Sequence, residues 1–448
     1  MDAQTQDGGP STPMEAGARR QAAQALALAE EAEPALRGPD QVAWLDRLEG
    51  EYDAIQQALD WSAAAPTPER IDTGLRIAGA LKIYWEEHGR LTAGRDWLAR
   101  LLAAAEALPA PPPALVMAKA VEAAARLAYK QGDLAEARPL YTDSLARYRS
   151  LDSPAGVALS LGGLGNLARL GGDLPAARAH YDEALALRRA MGDLPGVGAG
   201  LFLLGHVAVA EGDLARGARL YEESLALSRE IGDSDGEAYA HEALGQVAFV
   251  ASDHAGAVRH TTAAAAGYRA LGAKANLGDA LDGLGWLTAH TGDYAQAAVL
   301  LDEAVAAAQE AEGNPADAGW ALAHLGIVAA RLGEPARAHA LLTQCLTLLR
   351  GAPDPPPAMV GLCLLGFADL AAAERQPARL AQLTAAAEAL YEGASPVDRA
   401  FAEAEFTRCR AAIAAGLDPA AAAAARTTGR SWTMEQAIAR ALEEPPEA

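Results

Sequence analysis

The sequence of 448 residues predicts an all-α fold, a right-handed superhelical solenoid of antiparallel helix pairs with a period of about 40 residues. The first observation behind this prediction is a turn signal that returns at a fixed interval. The second is that apolar residues keep helical spacing on both sides of each turn. The third is the richness in alanine, which has the highest helix propensity and lets neighbouring helices pack closely.

The turn signal is a Gly-Asp pair or a close variant of it, and it returns at intervals of 40, 40, 40, 40 and 41 residues. Its copies are Gly132-Asp133, Gly172-Asp173, Gly212-Asp213, Ser252-Asp253, Gly292-Asp293 and Gly333-Glu334. Glycine can take the left-handed conformation that ends a helix, and aspartate can cap the helix that follows. Each copy is therefore predicted to be a helical hairpin, which buries its apolar face only when copies stack.

Two more positions repeat within the hairpins. From the second copy onward a Leu-Gly pair begins eight residues before the turn, as Leu164-Gly165 does before Gly172. The glycine lets the partner helix approach closely, and Tyr181 on that helix fills the space beside it. Leu-Gly on the first helix with an aromatic residue on the second resembles the tetratricopeptide repeat (TPR) family, in a variant with longer helices.

The resemblance covers about 120 to 350, and the array that it implies, of about six repeats, is predicted to span residues 115–350. It is weaker where Thr261, Leu301 and Leu342 replace the tyrosine, and at these positions we expect different packing. Proline-rich stretches at 108–115 and 351–358 separate this array from its flanks. The flanks are expected to be a disordered leader, 1–20, and two caps of divergent helical repeats, 21–108 and 358–448.

The flanks carry a second resemblance. The segments from Glu30 to Trp61 and from Gly429 to Leu442 are similar to those bordering the repeats of bacterial STAND-type regulators, which combine repeats with an ATPase and often a LuxR-type DNA-binding module. This resemblance implies a sensing role for the repeats. The sequence has no GxxxxGK[ST] phosphate loop and no helix-turn-helix motif. The chain is then either a stand-alone relative, which Met1 with its polar leader favours, or a piece of a longer protein. For a stand-alone chain, an ATPase or DNA-binding regulator would be a separately encoded partner.

Composition excludes several classes of function. The formal charge of −22 argues against direct binding to nucleic acid or to an anionic membrane surface. No apolar stretch resembles a membrane span, and the N-terminus lacks a signal peptide, so the expected location is the cytoplasm. The three cysteines lie in apolar helical runs and are interpreted as reduced core residues.

The sequence offers no arrangement typical of an active site. The stretch from His241 to Gly245 begins like a zinc motif but lacks the second histidine. Gly162 to Gly165 lie within a repeat helix, where glycine serves close packing rather than phosphate binding. Recurrent acidic pairs, such as Asp182-Glu183, fit solvated helix faces. We therefore predict a non-catalytic protein that needs no metal and no cofactor.

The TPR resemblance implies that the first helix of each pair lines a concave groove. By the repeat positions of that family, the groove would contain Lys119, Arg126, Tyr129, Lys130, Asn166, Arg169, Phe202, His206, Tyr239, Glu242, Gln246, Phe249, Asp282 and Trp286, with Glu122, Asp279, His290, Trp320 and Arg331 at equivalent positions. Its early part would be basic, its middle aromatic and its later part acidic.

The basic part of the groove resembles the carboxylate-holding clamp of some TPR domains. Arg126, Lys130 and Arg169 would supply charge, and Asn166 would hold a peptide backbone. The alternative is that these charges lie at a rim and that the aromatic residues pack.

Two functions remain open at this point. The first is a scaffold that binds a protein or peptide partner through its groove, in bacterial signalling or transcriptional regulation. The second is a ligand-gated sensor that binds a small molecule or short signalling peptide inside the superhelix. The sequence names neither the ligand nor the oligomeric state.

Overall fold

A computed structural model describes residues 13–36, 40–311, 318–352 and 355–443. Within these ranges the secondary structure is helical and contains no strand, so the predicted all-α class is confirmed. The chain divides into two compact units, Met1–Val207 (unit 1) and Ala208–Ala448 (unit 2), and the division falls within a helix. No helix of the described ranges has the length and apolar character that a bilayer crossing requires.

The helices follow one another along the chain with short connections. The first eleven are α1 (Pro13–Ala35), α2 (Gln41–Gly50), α3 (Tyr52–Ala64), α4 (Pro68–Ala80), α5 (Lys82–Glu87), α6 (Leu91–Glu106), α7 (Ala114–Lys130), α8 (Leu134–Ser150), α9 (Pro154–Leu170), α10 (Leu174–Met191) and α11 (Leu194–Ala210), the last of which contains the division. Unit 2 continues with α12 (Leu214–Ile231), α13 (Ser234–Val250), α14 (His254–Leu271), α15 (Lys274–His290), α16 (Tyr294–Glu310), α17 (Gly319–Arg331), α18 (Pro335–Gly351), α19 (Pro357–Ala373), α20 (Pro377–Leu390), α21 (Pro396–Gly416), α22 (Pro419–Arg430) and α23 (Met434–Leu442).

The turns within the hairpins form as the Gly-Asp signal predicts. Gly172 has a φ of +76°, the left-handed value that closes α9. Asp173 then caps α10, because its Oδ1 accepts a hydrogen bond of 3.1 Å from the backbone N–H of Ala176. The two variant copies each show an exception. Ser252 holds a positive φ of +64° without being glycine, and Glu334 makes no side-chain cap hydrogen bond to α18.

Tight packing between the helices of a pair explains the Leu-Gly and tyrosine positions. A Cβ atom at Gly165 would lie 2.4 Å from Cε1 of Tyr181, whose ring is fully buried. Where the tyrosine is replaced, Leu301 takes the same place against Gly285 and is also fully buried. The filling side chain differs there, as expected, while the position that it fills is kept.

The expected disordered leader is wrong for residues 13–20, which form the first turns of α1. Ala22, Ala25, Ala29 and Ala32 recur at helical spacing in this helix and are buried. Glu15 adds an ion pair of 2.7 Å with Arg70, so the start of α1 is held against α4. Residues 1–12 of the leader lie outside the described ranges, and the division into caps and array stays a prediction.

Helix α21 departs from a simple stack of neighbouring pairs. It packs against α19 and α20, its neighbours in the chain, and also against α13, more than 140 residues earlier. Phe401 of α21 stacks on Phe249 of α13, with ring centroids 4.2 Å apart and planes 12° apart. The backbone oxygen of Phe401 accepts a hydrogen bond of 3.2 Å from Trp286 Nε1 of α15. Helix α21 therefore lies across first helices of the repeat pairs in unit 2.

Candidate functional site

A cavity of about 320 Å³ lies in unit 2 between these first helices and α21. Helices α13, α15 and α17 build one wall with residues three or four positions apart, a spacing that places side chains on one helix face. The residues lining the cavity are Glu242, Gln246, Asp279, Asp282, Gly283, Trp286, Trp320, His324, Leu362, Tyr391, Asp398, Phe401 and Ala402. The volume is at the lower end of the range of small-molecule sites, roughly 300–1,000 Å³.

Aromatic rings form much of the apolar lining. The ring of His324 stacks on that of Trp286, with centroids 4.2 Å apart and planes 24° apart. Trp320 continues this layer at 6.2 Å from His324. Trp286 is fixed by its hydrogen bond to α21 and is only 1% exposed, so the wall is rigid. Flat, rigid faces of this kind suit a planar or apolar group of a ligand.

The polar part of the lining is acidic. Glu242 accepts a hydrogen bond of 2.7 Å from the Tyr268 hydroxyl, and burial raises the pKa of this carboxyl. Asp282 Oδ1 lies 2.7 Å from Nδ1 of His324. With Asp279 and Asp398, the described lining holds four carboxylates and neither lysine nor arginine. A cleft lined by charges of one sign focuses their field and attracts ions of the opposite sign.

A smaller cavity of about 240 Å³ adjoins α21, and two of its lining residues, Arg331 and Glu405, belong to a buried ion network. Arg331 of α17 lies 2.5 Å from both Asp369 of α19 and Glu405 of α21. Burial raises the pKa of Glu405 to about 7, with the Arg331 guanidinium opposing that rise. Because these charges are paired with one another, this network fastens α21 to the repeats.

Three of the basic residues predicted in unit 1 are paired with acidic residues of the chain. Arg126 Nε donates to Glu86 Oε2 at 2.8 Å, and Lys130 pairs with the same carboxylate. Lys119 lies 3.6 Å from Glu33. The resemblance to a carboxylate clamp is therefore weakened, because a carboxylate of the chain itself already engages two of the three cations.

The other predicted residues of unit 1 contact neighbouring side chains of the same unit. Asn166 Oδ1 accepts a hydrogen bond of 2.6 Å from the Tyr181 hydroxyl, and Arg169 lies beside the same tyrosine. Phe202 and His206 make an edge-to-face pair at 4.5 Å, and burial lowers the pKa of His206 to about 4. Tyr129 packs against the core of unit 1 that includes Tyr141 and Tyr148.

The predicted residues of unit 2 divide between the cavity and its surroundings. Glu242, Gln246, Asp282 and Trp286 line the cavity, and so do Asp279 and Trp320 from equivalent repeat positions. Phe249 lies under Phe401 of α21 and is 6% exposed, so it packs instead of facing a groove. Tyr239 lies outside the lining, 42% exposed and 5.6 Å from the ring of Tyr268.

Sequence reasoning missed the side chains that come from beyond the regular copies. Tyr391, Asp398 and Phe401 belong to the C-terminal flank, where no repeat position predicts that they face earlier helices. His324 could have been found. It precedes the Leu-Gly pair of its copy, where the other copies carry glycine, leucine or alanine, and a buried polar residue at an apolar repeat position indicates a special environment.

Comparisons with known proteins place the fold. Models of the tetratricopeptide repeat match residues 116–190 and 277–317. No curated protein matches the sequence. Two solved structures share the fold at a TM-score of 0.55. The apo form of RapI matches at 11% identity over 88% of this chain and 99% of its own length. The apo form of the quorum sensor NprR from B. thuringiensis matches at 12% identity over 85% of this chain and 100% of its own length.

A third solved structure is a STAND protein with a tetratricopeptide repeat sensor, PH0952 from Pyrococcus horikoshii. It matches at 13% identity with a TM-score of 0.51, over 75% of this chain and 52% of its own length. At these identities the three structures establish a shared fold. Residues 116–190 and 277–317 are thus tetratricopeptide repeats, set in a solenoid of antiparallel helix pairs.

Proposed function

We propose that the chain is a non-catalytic TPR module that binds a peptide, either free or as a segment of a protein partner, in the cavity of unit 2. The observation that carries this proposal is that cavity, which three repeat helices and α21 enclose. Its rigid aromatic wall provides contact area at a low entropic cost, and its carboxylates provide directional hydrogen bonds. We place this binding in bacterial signalling or transcriptional regulation.

The partners that fit this role are proteins or peptides. The charge of −22 supports neither direct nucleic-acid binding nor attraction to an anionic membrane. A separately encoded ATPase or DNA-binding regulator is one source of such a partner. Among the solved structures of the same fold, PH0952 joins a repeat sensor to an ATPase within one protein.

A substitution that fills the cavity tests the proposal. Gly283 lines the cavity, and a Cβ atom there would meet nothing nearer than Thr261 Cγ2 at 3.7 Å. The Gly283→Leu variant should therefore fold normally while its side chain occupies ligand space. Gly162→Leu is the matched control, because this glycine lies in a repeat helix of unit 1 and its Cβ would meet only Arg188 Nη2 at 3.9 Å.

The measurement is a fluorescence-polarisation screen of a positional-scanning hexapeptide library, with affinities of the hits determined by calorimetry. We expect hits that bind the wild type and Gly162→Leu equally, and bind Gly283→Leu at least about tenfold more weakly, a loss of about 1.4 kcal/mol. A screen without hits, or hits that bind Gly283→Leu as tightly as the wild type, would overturn the proposal.

One observation favours the sensor as a second candidate. Helix α21 contributes Asp398, Phe401 and Ala402 to the lining, so a ligand would contact the repeats and α21 at once. A ligand that changes how firmly α21 is held would turn binding into a structural signal. Amide hydrogen exchange in α21, measured with and without a bound hexapeptide, distinguishes the two candidates. Changed exchange supports the sensor, and unchanged exchange at saturation supports the scaffold.

A further inference from the structure

We infer that the cavity of unit 2 selects a guanidinium group, the side chain of an arginine in the bound peptide. This inference rests on the proposed function and adds the chemical class of the anchoring residue. Charge, shape and the chain's own use of arginine carry it.

The charge of the lining is unbalanced in favour of a cation. The donors that reach its carboxylates include the Tyr268 hydroxyl at Glu242, His324 at Asp282 and the Ser395 hydroxyl at Asp398, and none of these is a lysine or arginine. Arg399 follows Asp398 in the chain but donates to the carbonyl of Glu392. A bound cation would thus meet carboxylates whose negative charge no lysine or arginine of the described lining offsets.

The shape of the lining favours guanidinium over ammonium. Guanidinium is planar and weakly hydrated, and it stacks on aromatic faces while its edge donates to carboxylates. Trp320, which is only partly buried, offers such a face beside the stacked pair of Trp286 and His324. Asp279 and Asp282 lie on the same wall. Leu362 and Ala402 offer apolar contact for the methylene stem. An ammonium is compact and strongly hydrated, and it gains less from flat walls.

Arginines of the chain itself contact aromatic rings and carboxylates near the cavity. Arg410 of α21 lies over the ring of Phe406, 5.4 Å from its centroid, and its guanidinium also lies 3.0 Å from Glu388. Arg331 inserts between Asp369 and Glu405 in the neighbouring cavity. The cavity of about 320 Å³ contains the same two kinds of group, aromatic rings and carboxylates, and its described lining provides no arginine to bind them.

Four synthetic peptides test the inference directly. The probes are acetyl-Ala-Ala-X-Ala-Ala-amide with arginine, lysine, citrulline or glutamate at X, and their binding is measured by calorimetry. Citrulline keeps the shape of arginine and removes its charge. We expect the arginine peptide to bind at least about tenfold more tightly than the citrulline peptide, the lysine peptide to fall between them, and the glutamate peptide to bind most weakly.

A charge-removing variant locates the effect. In Glu242→Gln with Asp398→Asn, both carboxylates become amides of the same shape, and the preference for arginine over citrulline should fall below about threefold. The control is Asp302→Asn with Glu303→Gln, two exposed acids of α16 outside the lining, which should keep the wild-type preference. Thermal unfolding of each variant verifies that it is folded before binding is compared.

The outcomes separate this inference from the proposed function. If arginine and citrulline peptides bind equally well and Gly283→Leu blocks both, the cavity binds peptides without selecting guanidinium, and only the inference is overturned. Library hits that contain no arginine would likewise overturn the inference and leave the proposed function in place. If none of the four peptides binds and the library also gives no hits, both proposals fail together.

Discussion

The charged residues of the two units are arranged differently although the repeats are alike. In unit 1, Glu86 engages both Arg126 and Lys130, and Lys82 forms a buried ion pair of 2.6 Å with Glu122. In unit 2, the acidic cavity is lined by carboxylates without a lysine or arginine among the described lining residues. The difference teaches that an acidic side chain is structural where a lysine or arginine of the chain pairs with it, as at Glu86, whereas the described lining of the cavity holds no such lysine or arginine for its carboxylates.

Breaking the buried pair of unit 1 should have the largest effect on stability. Lys82→Met removes the ammonium that pairs with Glu122, and the two side chains are only 7% and 5% exposed. We expect the free energy of unfolding to fall by about 3–5 kcal/mol, because a buried charge loses its partner. Urea unfolding followed by circular dichroism measures the loss.

The double variant Lys82→Met, Glu122→Leu is the control for that loss. Replacing both charges by apolar groups should recover most of the stability, since it also removes the buried carboxylate that has lost its ion pair with Lys82. A loss below about 1 kcal/mol in the single variant would contradict a structural role for this pair.

The same repeat position offers a second comparison of the units. Gly163 of α9 and Gly283 of α15 both precede the Leu-Gly pair of their copies. A Cβ at Gly163 would lie 2.3 Å from the Tyr141 ring, whereas at Gly283 the nearest atom is 3.7 Å away. Gly163→Ala should lower the free energy of unfolding by about 1–3 kcal/mol, because the added methyl group overpacks the core. Gly283→Ala should raise it by up to about 1 kcal/mol, because alanine has a higher helix propensity than glycine. Thermal unfolding of both variants measures these changes. If both variants gain stability, or both lose it, the two glycines do not differ in packing as the structure indicates.

Much of the fold could be predicted from the sequence because its determinants are local. Gly172 and Asp173 act within one turn. The Leu-Gly pair repeats with a fixed period, so the sequence indicates the same hairpin in each of the six copies. The start of α1 was missed because its burial depends on alanines, which carry little hydrophobic contrast in an alanine-rich chain.

The candidate site could be predicted only in part. Asp282 and Trp286 follow from repeat positions, but Phe401 reaches the cavity from α21. No period links that helix to α13, so its packing there depends on long-range tertiary contacts. The pairing of Arg126 and Lys130 with Glu86 could not be predicted for a related reason, since Glu86 lies on α5, outside the regular copies.

The ion network under α21 should make stability depend on pH. Burial raises the pKa of Glu405 to about 7 from its usual 4.5, so between these values the folded chain holds a proton that the unfolded chain releases. Stability from this group is therefore present at low pH and is lost as the pH rises toward 7. We expect the advantage of wild type over Glu405→Gln to shrink by about 1–3 kcal/mol from about pH 5 to pH 7.5.

Urea midpoints of both proteins across that range measure the change. Arg331, Asp369 and Arg408 face Glu405 and are unchanged in the variant, so the difference between the proteins isolates the carboxyl. A difference that stays constant with pH would show that Glu405 is ionised throughout, held by its arginines.

The smallest effect concerns the turns, where one copy in unit 2 departs from the pattern of unit 1. Ser252 adopts a φ of +64° at the place where Gly172 has +76°. A side chain in this left-handed region costs energy that glycine avoids, while glycine gives the unfolded chain more freedom. Ser252→Gly should therefore raise the free energy of unfolding by about 0.5–1 kcal/mol. The opposite substitution at the equivalent position, Gly172→Ser, should lower it by a similar amount. Asp253 still caps α14 in the first variant, so the cap is constant. If thermal unfolding shows no change in either variant, the glycine of the repeat matters for something other than backbone conformation.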